Sequence, residues 1–241
     1  MYYAALLLVL ALGSASAEEP PSSKAPDSFG TAGNLTAVSQ VRVEAAVDRL
    51  ERRYNGLKGF SADFVQNYTP RGALIGLEYH GEVHFRKPGK MRWIYQKPEQ
   101  KEILSDGIKL WLYKPLEKQV IVSDFDRETL SQASGISFLW GKAELRRLFD
   151  IAPSAEEAPT GKLRLVLTTK KEQRYYHRIV FLVDEQSGEV KEVTVHEVSG
   201  GINALRFAKS RENKDLKDAY FTFSAKGVEV KQAPLGGATL P

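Results

Sequence analysis

Residues 81–113, GEVHFRKPGKMRWIYQKPEQKEILSDGIKLWLY, alternate apolar and polar side chains in short runs parted by Pro and Gly, which predicts an antiparallel meander. In the first run Val83, Phe85 and Lys87 share one face, while His80, Glu82, His84 and Arg86 share the other. Lys87-Pro88-Gly89-Lys90 supplies a turn, and Met91, Trp93 and Tyr95 alternate with Arg92 and Ile94 on the return. Upstream, Val43, Val47, Leu50, Tyr54 and Leu57 recur every three or four residues among charges, predicting an amphipathic helix over 38–55 that Gly56 ends. Phe60, Ala62, Phe64, Gln66 and Tyr68 alternate along a strand, and further strands are expected at 74–85, 101–105, 108–113 and 119–124, with Asp106-Gly107 as a hairpin turn.

From 135 to 149 the period changes. Ile136, Leu139, Trp140, Ala143, Leu145, Leu148 and Phe149 cover a wide helical arc, with Ser131 or Ser134 available as an N-cap. Strands resume at 162–169, 177–184, 190–198 and 202–210, with a last pair near 220–223 and 228–230. Two helices and about eleven strands predict a mainly β fold, an incompletely closed antiparallel β-barrel with helices on its inner side.

Composition adds an address. An apolar run from Ala4 to Leu12 followed by Ala15-Ser16-Ala17 reads as a secretory signal, residues 1–17, too short to span a bilayer. Residues 18–37 are rich in Pro, Ser, Gly and Ala and read as a flexible leader, 38–232 as the domain and 233–241 as a flexible tail. There is no cysteine, which excludes a lipobox, disulfides, a thiol nucleophile and a thiolate metal site. The net charge of +4, with an acidic leader, leaves a mildly basic domain suited equally to an acidic partner, anionic headgroups or a merely solvated surface.

Chemistry is sparse. No nucleophile elbow, phosphate loop or dinucleotide fingerprint occurs in a usable setting. His80, Glu82 and His84 project together from one strand face, but opposite Val83 and Phe85, so a solvated outer face is expected rather than a metal centre. The expectation is a protein without catalytic residues, metal or cofactor, monomeric, and not a nucleic-acid binder. What needs explaining is the inner apolar face, lined by Phe64, Val83, Phe85, Met91, Trp93 and Leu110 or Trp111. Composition leaves open whether this is a plain core or an apolar-ligand cavity, and both faces of the strand carrying Trp111 and Tyr113 are apolar.

Several motifs in register resemble the LolA family of periplasmic carriers: Phe60-x-Ala62-x-Phe64-x-Gln66, Gly81 through Lys87-Pro88, Arg92-Trp93-x-Tyr95-x-x-Pro98, Ser105-Asp106-Gly107-x-x-Leu110-Trp111-x-Tyr113, Gln119-Val120 and Phe221-Thr222-Phe223 with Gly227-Val228-x-Val230. The resemblance spans about residues 38–232. It implies an open barrel whose cavity, with Phe64, Val83, Phe85, Met91, Trp93, Leu110 and Trp111, takes the acyl chains of lipoproteins. The cargo would come from an inner-membrane lipoprotein-releasing transporter complex and go to an outer-membrane acceptor. The lid implied is the two helices, through Val43, Val47, Leu50, Ile136, Leu139 and Trp140. The family often has Arg where this chain has Lys87, which would latch the lid as a point charge rather than a fork. Ser224-Ala225-Lys226 also lacks a proline the family usually carries there. An alternative from another class is a periplasmic module that senses lipid or lipoprotein without transporting it.

Overall fold

The computed structural model describes residues 37–125, 136–139, 142–171 and 174–233. The segments expected as signal and leader, through residue 36, together with Trp140, the N-cap candidates Ser131 and Ser134, and the expected tail after 233, lie outside the described residues. Helix α1 (Ala37–Gly56) is followed by strands β1 (Gly59–Thr69), β2 (Leu77–Arg86), β3 (Lys90–Lys97), β4 (Lys101–Ser105), β5 (Lys109–Lys114) and β6 (Gln119–Asp124). After a single 3-10 turn (Ser137–Leu139) and a four-residue helix α2 (Leu145–Leu148) come β7 (Phe149–Pro153), β8 (Lys162–Thr169), β9 (Tyr176–Asp184), β10 (Val190–Glu197) and β11 (Ile202–Glu212). A second 3-10 turn (Asp218–Phe221) leads to β12 (Glu229–Gln232).

All twelve strands form one sheet in the order β12-β6-β5-β4-β3-β2-β1-β11-β10-β9-β8-β7. Neighbours are antiparallel except for β12, which lies parallel to β6. The edges β12 and β7 do not meet, so the barrel is open. The period-two face of β1 to β3 is as its sequence dictates: Phe60, Phe64, Val83, Phe85, Met91 and Trp93 are all buried on the inner side.

Three expectations change. The arc at 135–149 is not one helix. Phe149 opens β7 and pairs with Thr169 of β8, so sheet pairing claims the end of the segment, and Pro153 is tolerated because β7 is an edge. Residues 220–223 are not a strand. Adjacent strand residues would point to opposite faces, whereas the 3-10 turn lets Tyr220 and Phe221 stack edge-on, 5.5 Å apart, with Phe221 fully buried.

Finally, His84 is buried rather than solvated. The segment after β11 covers this outer surface: Tyr220 meets His84 edge-on at 5.2 Å, and Nδ1 of His84 shares a 2.9 Å hydrogen bond with the Ser61 hydroxyl. The same segment is clamped by Arg92, which donates to the Tyr220 carbonyl at 2.9 Å, and by Asp218, which accepts from Arg86 at 2.6 Å and from Lys90.

Candidate functional site

The inner face is a continuous apolar surface. Phe64, Val83, Phe85, Met91, Trp93 and Leu110 are at most 4% exposed and belong to one cluster with the helix residues Val43, Val47 and Leu50 and with Ile136 and Leu139. Aromatic edges organise it, Trp93 standing 5.0 Å from Phe64 and 5.7 Å from Phe85. Trp111 is not part of this surface. On β5 it pairs with Leu104 and Val122, while Leu110 and Leu112 take the inner side. Trp111 therefore lies half-buried on the outer face beside Tyr113, whose ring meets Phe223 at 4.9 Å.

The cover is α1, lying against β7, β8 and β9. Its apolar stripe buries Val43, Val47, Leu50 and Tyr54. Tyr54 lies edge-on to Phe138 at 4.8 Å, and its hydroxyl accepts the Val190 backbone N–H at 3.1 Å. Burial pushes that phenol up to about 12.

Polar contacts stitch the rest. Asn55 Nδ2 donates to the Ala143 carbonyl at 3.2 Å and its Oδ1 accepts the Ala143 N–H at 2.9 Å. Glu51 accepts the Leu145 N–H at 2.7 Å and the Arg146 guanidinium at 2.8 Å, and Arg146 also reaches Asp48 at 2.6 Å. Arg42 pairs with Glu185 at 2.8 Å. Gly188 packs directly on the helix backbone; with φ +69° and Arg49 C only 2.5 Å from where a β-carbon would stand, no other residue fits without a shift.

Lys87 joins the last turn of α1 to the end of β2. Its ammonium donates to the Tyr54 backbone carbonyl, a group left orphaned at a helix C-terminus. Burial lowers its pKa to about 8. Beside it opens a polar cleft of about 510 Å³ lined by Asn55, Lys58, Arg86, Lys87, Asn213 and Lys214, among others.

One element sequence reasoning missed is Lys101. It is 3% exposed on the inner side, its ammonium 4.7 Å from the ring centroids of both Tyr79 and Tyr95, and burial lowers its pKa to about 8. Tyr95 in turn donates to Gln66 at 2.9 Å, and Gln66 to Asn203 at 3.1 Å, so this end of the apolar face carries a buried polar chain. Tyr79 and Tyr95, which share the inner face of the meander, were the signal available.

An open antiparallel sheet whose apolar face is closed by a helix, held there by a few polar contacts, defines a lidded half-barrel. The sequence profile described as outer membrane lipoprotein carrier protein LolA matches residues 55–224, and the chain belongs to that family. It is 30% identical over 204 residues to an outer-membrane lipoprotein carrier protein of Chromobacterium violaceum, across 83% of this chain and 92% of the relative. The carrier protein of Nitrosospira multiformis is 28% identical over 170 residues, across 70% and 80%. The fold also matches the crystal structure of an uncharacterized conserved protein from Thermus thermophilus, with TM-score 0.51 and 13% identity over 79% of this chain and 98% of that one.

Proposed function

We propose that this chain is a periplasmic carrier that shelters the acyl chains of lipoproteins beneath α1 and shuttles them from the inner to the outer membrane. The observation that carries the reading is the continuous buried inner face from Phe64 to Leu110, in one cluster with the stripe of a helix whose C-terminal end is tied down by Lys87. Magnitudes explain why a lid belongs there. Burying an acyl chain yields about 0.8 kcal/mol per methylene, so a sixteen-carbon chain supplies roughly 12 kcal/mol, and two would already exceed the limit of non-covalent affinity near about −20 kcal/mol. A carrier has to release.

The four buried side chains of the α1 stripe are worth about 1.5–3 kcal/mol each, the same order as one acyl chain. Cargo that must displace them binds reversibly without the cavity becoming less apolar. In this scheme Lys87 latches the closed lid, and an inner-membrane releasing complex and an outer-membrane acceptor bias it open. The test is release of a newly made lipoprotein from spheroplasts. A stoichiometric soluble complex with this protein, competed by free fatty acid, is expected. No release, where a matched control carrier works on the same spheroplasts, overturns the proposal.

A further inference from the structure

Leu74 is fully exposed and Ile75 is 85% exposed, at the tip of the β1–β2 hairpin. This tip is built, not loose. Ala73 N–H closes a turn on the Pro70 carbonyl at 3.1 Å, and the methylenes of Arg71 lie across Gly200, so close that a β-carbon there would stand 2.9 Å from Cδ. Two aliphatic side chains are thus held outward in water by their own loop, with no other described side chain covering them.

Because the strands are antiparallel, the loops after β3, β5, β8 and β10 emerge at the same end of the sheet as this tip. Those loops bring Leu116 and Val198, 79% and 55% exposed, to the same end. They also bring Lys97, Lys118 and Lys171, which with Arg71 make no ion pair among the described residues. Of the acids here, Glu78 is held by Asn67 at 3.0 Å and His80 at 2.8 Å, Glu117 by Lys114 at 2.9 Å, and Glu197 is buried against Ser199, which leaves Glu99 in the β3–β4 loop as an exposed carboxylate against the four cations.

We infer that this end of the barrel docks on an anionic phospholipid surface, with Leu74 and Ile75 entering the acyl boundary and the unpaired cations lying over the headgroups. Protein hot spots favour Trp, Tyr and Arg set in pockets and under-use Leu, whereas an aliphatic tip flanked by cations is what a charged lipid surface selects. The latch residue Lys87 sits at the other end of β2, so the lid's C-terminal anchor stays clear of the membrane. The inference does not depend on acyl cargo, and its test uses none.

The chain has no cysteine, so single labels are unambiguous. Ile75→Cys carrying an environment-sensitive fluorophore is mixed with vesicles of phosphatidylethanolamine and phosphatidylglycerol, and compared with Glu157→Cys in the β7–β8 loop at the opposite end. Expected is a blue shift at position 75 only, weakened by salt and absent on phosphatidylcholine alone. Leu74→Ser with Ile75→Ser, an exposed pair whose loss leaves the thermal transition in place, should weaken vesicle binding by about tenfold or more. Equal binding by that double variant, or labels that both stay in water at excess lipid, overturns the inference. So does a shift at position 75 that follows protein concentration without lipid, which would assign the tip to a second copy of the chain.

Discussion

The ammonium of Lys87 donates to the backbone carbonyl of Tyr54, tying the end of a sheet strand to the last turn of the helix that covers the sheet. Burial holds this amine near pKa 8, below its ordinary 10.5. Between those values the folded protein binds fewer protons than the unfolded chain, so Lys87 costs global stability below about pH 8 and the cost is relieved as pH rises towards 10.5. Opening of α1 returns Lys87 to water, so by the same linkage the protection of α1 amides, taken as a ratio to Lys87→Arg, is expected to rise from about pH 8 towards 10.5, since a guanidinium stays charged. Lys58, Arg86 and Lys214 share the cleft and Lys101 titrates near the same pH, but all four are common to both proteins and cancel in the ratio. A ratio constant through that range would remove the latch.

Gly188 tests how closely the helix must approach. Gly188→Ala is expected to lose about 1–3 kcal/mol, from a left-handed backbone and a β-carbon driven against Arg49. Gly161→Ala is the matched control, with φ +74° and open space around it, and should lose about 1 kcal/mol. Chemical denaturation of the two variants measures the difference; equal losses would mean that α1 yields to the turn.

How much of this was legible follows from how local each cause is. Parity along 81–95 placed Val83, Phe85, Met91 and Trp93 inward and put Lys87 on the same side, and the structure keeps all five there. Parity failed at Trp111 because the outer face of β5 is also covered, by Tyr113 with Phe223 and by Leu104, so both faces are apolar and period two has nothing to contrast. The helical arc at 135–149 ran one residue into β7 because the strand state of Phe149 exists only through pairing with β8, which is distant in sequence. Lys101 lies between Gln100 and Glu102 with nothing local to bury it; its burial comes from Tyr95 across the ladder and Tyr79 one strand further.

Asn55 joins α1 to the chain before α2 through two hydrogen bonds with Ala143. Asn55→Ala strands both backbone groups in a half-buried site and should cost about 1–3 kcal/mol. Hydrogen exchange localises the effect. Amides of α1 and of 143–148 are expected to lose protection together, while the β1–β2–β3 ladder keeps it. Loss of protection throughout the sheet would show that lid and barrel open as one unit.

Leu50 separates a lid from an ordinary core helix. It is fully buried in the stripe of α1, so Leu50→Ala should cost about 2–5 kcal/mol of stability whatever the helix does. If α1 competes with cargo for the inner face, the same loss appears as a gain in ligand binding. Affinity for a fluorescent fatty acid should then rise by about tenfold for each 1.4 kcal/mol the closed state loses. Phe85→Ala, on the sheet side of the same cluster, is the counter-case: it loses about 3–5 kcal/mol and removes part of the wall the acyl chain would touch, so its affinity should fall or hold. Opposite signs for the two variants are the signature of displacement; a fall in both would make α1 part of the binding wall, and the energetic case for a lid would not stand.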